Sequence, residues 1–442
     1  MHIQLSDHFT YSKLLRFVYP SIIMMIFTSI YSVVDGLFVS NYVGKTPFAA
    51  QNLIWPFIML LSAVGFMLGT GGSAIVAKTL GEGEPEQANA YFSLFVYVTL
   101  GLGLVLAAAG FVFMPGIATF LGATEEMLHD CVVYGRLTVA ALPAFMLQNT
   151  FQSFFPTAEK PKLGLAVTVL AGCTNMVLDY VFVAVLRWGL AGAALATGMC
   201  QVVGGVLPVI YFARNNSSLL RLGKTRFYGR ALVKACTNGA SELMTNVCNS
   251  VVNILYNFQL MRLIGEDGVS AFGVIMYVMF VFAAAFLGYS MGVAPIVGYH
   301  YGAANRGELK SLLKKSLCLI AGAGVVLVAL AEVLALPLAR LFVGYDPALT
   351  ELTCHAFRLF SLSYLFMGLN IFGSAFFTAL SNGAVSAAIS FLRTLVFQVA
   401  AVLILPVFLD VEGVWISVVV AEVLALGVTA ACLAKKRERY GY

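Results

Sequence analysis

The chain nearly repeats itself at a constant interval of 221 residues, which is half of its 442 residues. The recurring positions are Val43-Gly44 and Ile264-Gly265, Ile75-Val76 and Ile296-Val297, Gly81 and Gly302, Phe145-Met146 and Phe366-Met367, Asn149 and Asn370, Phe155 and Phe376, Thr157-Ala158 and Thr378-Ala379, and Gly192 and Gly413. One unmatched insertion would break a constant interval. The chain therefore contains two copies of one unit in the same order.

The composition predicts that lipid is the solvent of both copies. Apolar residues make up 60% of the chain and charged residues 11%, whereas a soluble domain carries about 25% charged residues. A membrane-spanning helix needs about 20 apolar residues. Twelve such runs are present, at residues 14–40, 51–78, 89–113, 130–156, 161–186, 189–213, 231–262, 270–299, 310–336, 352–380, 383–408 and 412–434.

Six runs fall in each copy, so both copies enter the membrane in the same direction. The predicted fold is an all-α integral membrane protein, with twelve transmembrane helices in two six-helix bundles related by a parallel internal repeat. We expect an N-terminal half (residues 1–213), a basic cytoplasmic linker (residues 214–230) and a C-terminal half (residues 231–442). A duplicated membrane chain is typical of a secondary transporter, whose site lies between the repeats.

The distribution of Lys and Arg predicts the orientation. With both termini in the cytoplasm, 20 of these residues, Arg393 among them, fall on the inner side and 6 on the outer side, in agreement with the positive-inside rule. The net charge of +5 is therefore a topology signal, and we expect no nucleic-acid partner. The first ten residues are polar and predict no cleavable signal peptide. The expected location is the cell (inner) membrane.

Acidic side chains inside apolar runs need a physical reason, because a charge in the bilayer is costly. Asp179 lies four residues after Asn175, so both side chains share one helical face. Together with Asp35 they suit a proton or an alkali cation. The alternative is that both aspartates are hydrated helix ends. Glu332 and Glu422 have no polar neighbour at helical spacing, which favours a local structural or cavity-facing role.

Two further features allow a functional and a plain structural interpretation. Pro20 removes a backbone hydrogen bond in the first span, which makes it either a hinge or a static kink. An aromatic and methionine group could line a cavity for apolar cations or serve as ordinary helix packing. Its members are Met276, Tyr277, Met279 and Phe280.

These residues resemble the multidrug and toxic compound extrusion (MATE) transporters, of prokaryotic type, over essentially the whole chain. The matching motifs are Tyr19-Pro20, Asp35-Gly36-Leu37-Phe38-Val39-Ser40, Leu80-Gly81-Glu82-Gly83 and Tyr301-Gly302-Ala303-Ala304. The resemblance implies export of lipophilic, cationic drugs or toxic small molecules by antiport with H⁺ or Na⁺. It implies no other cofactor, and we expect a monomer in contact with membrane lipid.

The resemblance also implies the positions of a proton or sodium site in the N-terminal half. Carried over residue by residue, that site falls on Asp35, Asn149, Asn175, Asp179 and Thr197, with Tyr31 one turn before Asp35. A possible Na⁺ would bind at Asp35 and Asp179. Counted from the outer end, Asn149 lies deeper than Asp179, unless Pro143 shifts the register of its helix. Another branch of the family uses acids in the C-terminal half, where this chain has Asn370 on the tenth helix.

Other classes of protein fit the sequence less well. A lipid-linked oligosaccharide flippase of the same superfamily is the alternative, and it would require cations along the central cavity. A major-facilitator transporter would need a basic loop between helices two and three, where this chain has Gly81-Glu82-Gly83-Glu84. The five histidines are dispersed, and no metal or nucleophile motif appears, so we expect no enzyme. A pore-lining ring cannot arise from two repeats, which argues against a channel.

Overall fold

The structure, a computed structural model, describes residues 2–442, and helices form nearly all of it. The helices are α1 (Tyr11–Tyr42), α2 (Lys45–Gly81), α3 (Pro85–Phe120), α4 (Glu125–Ala140), α5 (Leu142–Thr157), α6 (Pro161–Asp179), α7 (Gly189–Ala213), α8 (Gly229–Ile264), α9 (Glu266–Gly302), α10 (Arg306–Val343), α11 (Pro347–Ser361), α12 (Tyr364–Ala379), α13 (Gly383–Phe391) and α14 (Phe397–Tyr440). Two π-helical turns, Tyr180–Val185 and Leu392–Val396, follow α6 and α13.

The helices account for the predicted spans. Eight segments are long and apolar enough to cross a membrane, and two bent pairs, α4–α5 and α11–α12, raise the number to ten. One of these segments, Gly383–Tyr440, is broken at Asp410, whose φ of 51° is not helical, so it supplies two spans. Helix α8 has 36 residues and the length to span, although it carries many polar side chains. Together they make twelve.

The internal repeat is visible in the geometry of the helices. Helices α2 and α9 each have 37 residues and begin 221 positions apart. Each follows a glycine with positive φ, 113° at Gly44 and 75° at Gly265, a conformation that only glycine adopts readily. The bends also correspond, at 53° between α4 and α5 and 48° between α11 and α12. The repeat therefore preserves the backbone features that shape each half.

Both termini lie on one side of the molecule, which we call the terminal side. The Leu5 amide donates to Glu159 in the loop between α5 and α6, and Asn382 donates to the Tyr440 hydroxyl. On this side the halves approach closely, because α2 packs against α8 and α9 and α1 packs against α9. Their backbones touch at glycines: a Cβ on Gly81 would collide with the Tyr299 carbonyl.

The segment before α1 fastens the two halves together. Residues 2–10, which we call the strap, bond to Glu159 of the N-terminal half, where the Leu5 amide donates over 2.6 Å, and to Glu308 of α10. Glu308 accepts from the Phe9 amide at 2.9 Å and lies 2.7 Å from the His8 ring nitrogen. Leu5 and Phe9 are fully buried. Burial raises the pKa of the Glu159 carboxyl.

Replacing Glu308 by alanine is expected to free one end of the strap. A hydrogen bond to a charged group contributes about 1.5–3 kcal/mol, so exchange of the Phe9 amide should rise by roughly 10- to 100-fold. The Leu5 amide should keep its protection, because Glu159 holds it separately. Amide hydrogen exchange with mass spectrometry measures both, and Glu438→Ala on the exposed end of α14 is the matched control. Equal loosening at Leu5 and Phe9 would contradict independent attachment.

The connection between α7 and α8, residues 214–228, packs on α3. Gly223 donates its amide to Ser93 at 3.0 Å, and Arg221 donates its amide to Asn89 at 2.8 Å. Leu220 of the same segment is fully buried. This basic connection is therefore anchored to the first half along part of its length.

Candidate cation-binding site

Asp35 lies at the centre of a polar cluster inside the N-terminal half. The carboxylate stands in the last third of α1 and accepts two hydrogen bonds from other helices. Thr197 of α7 donates to one oxygen at 3.4 Å, and Gln51 of α2 donates to the other at 3.3 Å. Both contacts are long for hydrogen bonds, so the donors neutralise Asp35 only weakly.

Asp179 and Asn175 face Asp35 from α6. Asn175 is 2% exposed and Asp179 is fully buried, at the point where α6 continues into a π-helical turn. Such turns occur often at functional sites. Asp179 and Asn175 are the neighbouring polar side chains of the Asp35 carboxylate. The predicted group of Asp35, Asn175, Asp179 and Thr197 thus comes together in space.

The acceptors in this cluster outnumber the donors. Among residues 2–442, neither carboxylate oxygen of Asp179 nor the carbonyl oxygen of Asn175 has a hydrogen-bond partner. In the same part of the chain, no Lys, Arg or His forms an ion pair with Asp35 or Asp179. A buried carboxylate without a donor or a cation is strongly destabilising. The chemistry of this group therefore fits a proton or a small monovalent cation that oxygen atoms can hold.

The structure adds residues that the sequence interpretation missed. Gln51 lies six residues after the start of α2, and Asp35 lies seven before the end of α1, so the antiparallel pair places them at one depth. Counting from the turn between the helices could have found Gln51. Tyr134 of α4 is 1% exposed, with its hydroxyl next to Asp35, Asp179 and Gln51. No sequence pattern indicates Tyr134, because its position depends on how α4 packs.

Tyr31 borders this cluster, whereas Asn149 bonds to the backbone of α2. Tyr31 lies near Asp35, with Gln148 and Cys200 as its other polar neighbours, and its ring centroid is 5.7 Å from that of Phe27. Asn149 is 2% exposed and donates to the Ser62 carbonyl of α2 at 3.2 Å. Its helix follows the 53° bend after α4, just before Pro143. A direct role of Asn149 in cation binding stays a prediction.

The structure also shows where Pro20 and the aromatic and methionine group lie. Pro20 is buried within an unbroken α1, beside Ser21 and Ile22, which contact Gly288 of α9. Its role as a hinge stays a prediction. The predicted cavity group divides into two sets. Met276 and Met279 pack against the core of the C-terminal half, whereas Tyr277 and Phe280 are 49% and 47% exposed. Their contact with a substrate also stays a prediction.

The isolated acids of the C-terminal half have partners on other helices. Glu332 accepts from Ser361 at 3.0 Å and lies 3.7 Å from Arg358. Glu422 is fully buried and pairs with Arg393 at 3.0 Å. Arg393 follows α13 inside the eleventh span, so it is not a loop residue and does not report the orientation. Helical spacing could not reveal these pairs, because each joins different helices.

Comparisons with known proteins agree with this fold. The MatE family model matches residues 20–181 and 243–403, one match in each half. The multidrug export protein MepA of Staphylococcus haemolyticus (strain JCSC1435) is 23% identical over 84% of this chain and 82% of its own length. MepA of Staphylococcus aureus (strain NCTC 8325 / PS 47) is 20% identical, over 94% of this chain and 91% of its own length.

Solved structures give the same result. An outward-facing multidrug resistance MATE family transporter of the MOP superfamily superposes with a TM-score of 0.93, at 22% identity, over 99% of this chain and 98% of the other. A MOP superfamily transporter from Pyrococcus furiosus Vc1 gives 0.91, at 22% identity, over 98% of each chain.

Two six-helix halves, the first with a polar cluster inside it, together with the family match define a multi-pass membrane transporter rather than an enzyme. The two-part match covers most of the chain. The chain therefore belongs to the MatE family.

Proposed function

We propose that the protein exports lipophilic, cationic small molecules in exchange for H⁺ or Na⁺ at the cluster around Asp35 and Asp179. The observation that carries this proposal is the buried Asp179 carboxylate, whose oxygens have no donor among residues 2–442 and which faces a second carboxylate. Two adjacent acids bind protons or cations as a coupled pair. The names of the relatives support a drug as the exported substrate, because two of them are multidrug export proteins.

The side of the membrane to which the terminal side belongs determines which way the transporter is open. If both termini face the cytoplasm, as the bias of Lys and Arg favours, the glycine contacts close the cytoplasmic side. The conformation is then outward-facing, and the cation entering Asp35 and Asp179 comes from outside. Cation binding there would bend α1 above Pro20 and reduce the space for the drug in the N-terminal half. Drug and cation would thus exclude each other, which is the requirement for antiport.

The flippase alternative requires a cationic central cavity. Arg393 is an arginine inside a span, but Glu422 neutralises it at 3.0 Å. Among residues 2–442, no Lys, Arg or His pairs with Asp35 or Asp179, and two neighbouring carboxylates without a cation favour a cationic cargo over a pyrophosphate.

Dye efflux from energised vesicles tests the proposal directly. The proton gradient and the sodium gradient are collapsed separately, with an uncoupler and with a sodium ionophore, and the rate of ethidium efflux is recorded. We expect one treatment to stop efflux, and that treatment identifies the coupling ion. Vesicles without the protein are the control. Efflux that is indifferent to both treatments would refute antiport.

A further inference from the structure

The C-terminal half contains a buried carboxylate with a full set of donors. Both Glu422 oxygens lie 3.0 Å from Arg393 Nε, and Asn370 Nδ2 donates to one of them at 2.7 Å. Thr429 fixes Asn370 by donating to its carbonyl oxygen at 3.0 Å. The Glu422 side chain is fully buried, and that of Arg393 is 14% exposed. This network satisfies its charges and hydrogen bonds internally.

The repeat relates this network to the cluster of the N-terminal half. Glu422 is the counterpart of Gln201, and it lies one turn after Val418, the counterpart of Thr197, which donates to Asp35. Corresponding regions of the two halves thus both hold buried carboxylates. The counterpart of Arg393, at the interval of 221 residues, is Gly172, which has no side chain to supply a charge. At this repeat position the C-terminal half carries the Arg393 guanidinium, whereas the N-terminal half has a glycine.

The packing of Gly172 strengthens this contrast. A Cβ at Gly172 would collide with the rings of Phe27 and Tyr31 on α1, the helix that carries Asp35. No side chain fits there, so α6 cannot deliver a cation from this position to Asp35 and Asp179. In the C-terminal half, the π-helical turn Leu392–Val396 carries the guanidinium to Glu422. The sequence difference at one repeat position therefore supplies a cation to the carboxylate of one half and none at the corresponding position of the other.

We propose that Arg393 is a built-in cation that occupies the C-terminal counterpart of the coupling site and restricts ion exchange to the N-terminal half. Without its guanidinium, Glu422 and Asn370 form a second site for a proton or a monovalent cation. The restriction of ion exchange to the N-terminal half rests on the proposed function. The second site at Glu422 and Asn370 concerns ion binding alone. Arg393 is thus a residue that sets how many ions accompany each substrate.

Thermal unfolding of the purified protein tests the binding part. Arg393→Met is compared with the double variant Arg393→Met/Glu422→Gln, both in the background Asp35→Asn/Asp179→Asn, which removes the N-terminal carboxylates. We expect the melting temperature of Arg393→Met to fall at alkaline pH without Na⁺, and to recover when the pH is lowered or NaCl replaces choline chloride. Recovery with acid alone identifies a proton site, and recovery with NaCl identifies a cation site. The double variant and Arg262→Met, an exposed arginine, should show no such recovery.

A response of the double variant equal to that of Arg393→Met would overturn the proposal, as would no response in either. Should Arg393→Met give no folded protein, Arg393→Gln retains an amide donor and is titrated in the same way. Transport supplies the second readout in otherwise native protein: Arg393→Met should steepen the dependence of drug accumulation on the ion gradient, and Arg393→Lys should not. Unfolding responses as expected, combined with ion-independent transport, would refute the proposed antiport and leave the second site standing.

Discussion

Asp179→Asn is expected to abolish the cation-driven drug gradient while the protein still folds. Asparagine has nearly the shape of aspartate, but it can neither release a proton nor neutralise a cation. When one cation enters for each cationic drug that leaves, no net charge crosses the membrane, so a tenfold gradient of the coupling ion, about 1.4 kcal/mol, sustains roughly a tenfold gradient of the drug. The variant should lose this factor, so that the drug equilibrates at about equal concentrations on both sides. Accumulation of a fluorescent dye in inverted vesicles under an imposed gradient measures the ratio.

The melting temperature of Asp179→Asn separates loss of coupling from loss of fold. Asp179 is buried without a donor, so its neutral analogue should melt at the same temperature as the native protein or higher. Asp35→Asn should lose the gradient as well, although Thr197 and Gln51 keep a partner at that position. The matched control is Glu332→Gln, because Glu332 already has Ser361 and Arg358 as partners. Full drug accumulation by Asp179→Asn would remove Asp179 from the coupling site.

The sequence predicted what depends on neighbours along one helix or on the repeat. Asn175 and Asp179 share a helical face, and the interval of 221 residues predicted the matching helices α2 and α9. The meeting of Asp35 with Thr197 followed from the resemblance rather than from spacing. Helical periodicity could not predict contacts between residues of different helices, because these depend on how the helices pack. Tyr134 comes near Asp35 only through the placement of α4, and Arg393 bonds to Glu422 across 29 positions of the chain.

The two halves are alike in backbone and unlike in charge. The glycines Gly81 and Gly302 recur at the interface, as do the bends, and each half has one π-helical turn, although at different repeat positions. The carboxylates do not recur: Asp35 corresponds to Tyr256, which bonds to Ser417, and Asp179 corresponds to Ala400. A duplicated scaffold can rock about its interface if both halves keep the same contacts. Its chemistry can then diverge, because the partners of Asp35 and of Glu422 belong to the same half as the acid they contact.

Gly81→Ala and Gly302→Ala are expected to open the terminal side, each to a similar extent. A Cβ on Gly81 would overlap the Tyr299 carbonyl, and a Cβ on Gly302 would overlap the Lys78 carbonyl. The two contacts are repeat counterparts, so an added Cβ at either glycine should hinder closure of the terminal side to the same extent. Overpacking at a rigid backbone contact costs about 1–3 kcal/mol, which shifts the equilibrium between two conformations by roughly 5- to 150-fold. Transport should fall accordingly, because the cycle needs a closed terminal side.

Cys236 provides a native reporter of this opening. It is partly buried and adjoins Ala235, whose carbonyl contacts Gly71 across the interface between the halves. Its labelling by a membrane-impermeant maleimide, followed by mass spectrometry, should be faster in both variants than in the native protein. Gly101→Ala and Gly322→Ala are the matched controls, since these glycines are also repeat counterparts and a Cβ on either meets no atom within 4 Å. If labelling rose in only one of Gly81→Ala and Gly302→Ala, the two contacts would not contribute equally to closing the terminal side. The glycine contacts occur in both halves, whereas the carboxylate cluster occurs in one. If both variants lost transport but still bound the cation at Asp35 and Asp179, closure of the terminal side and cation binding would be separate functions of the protein.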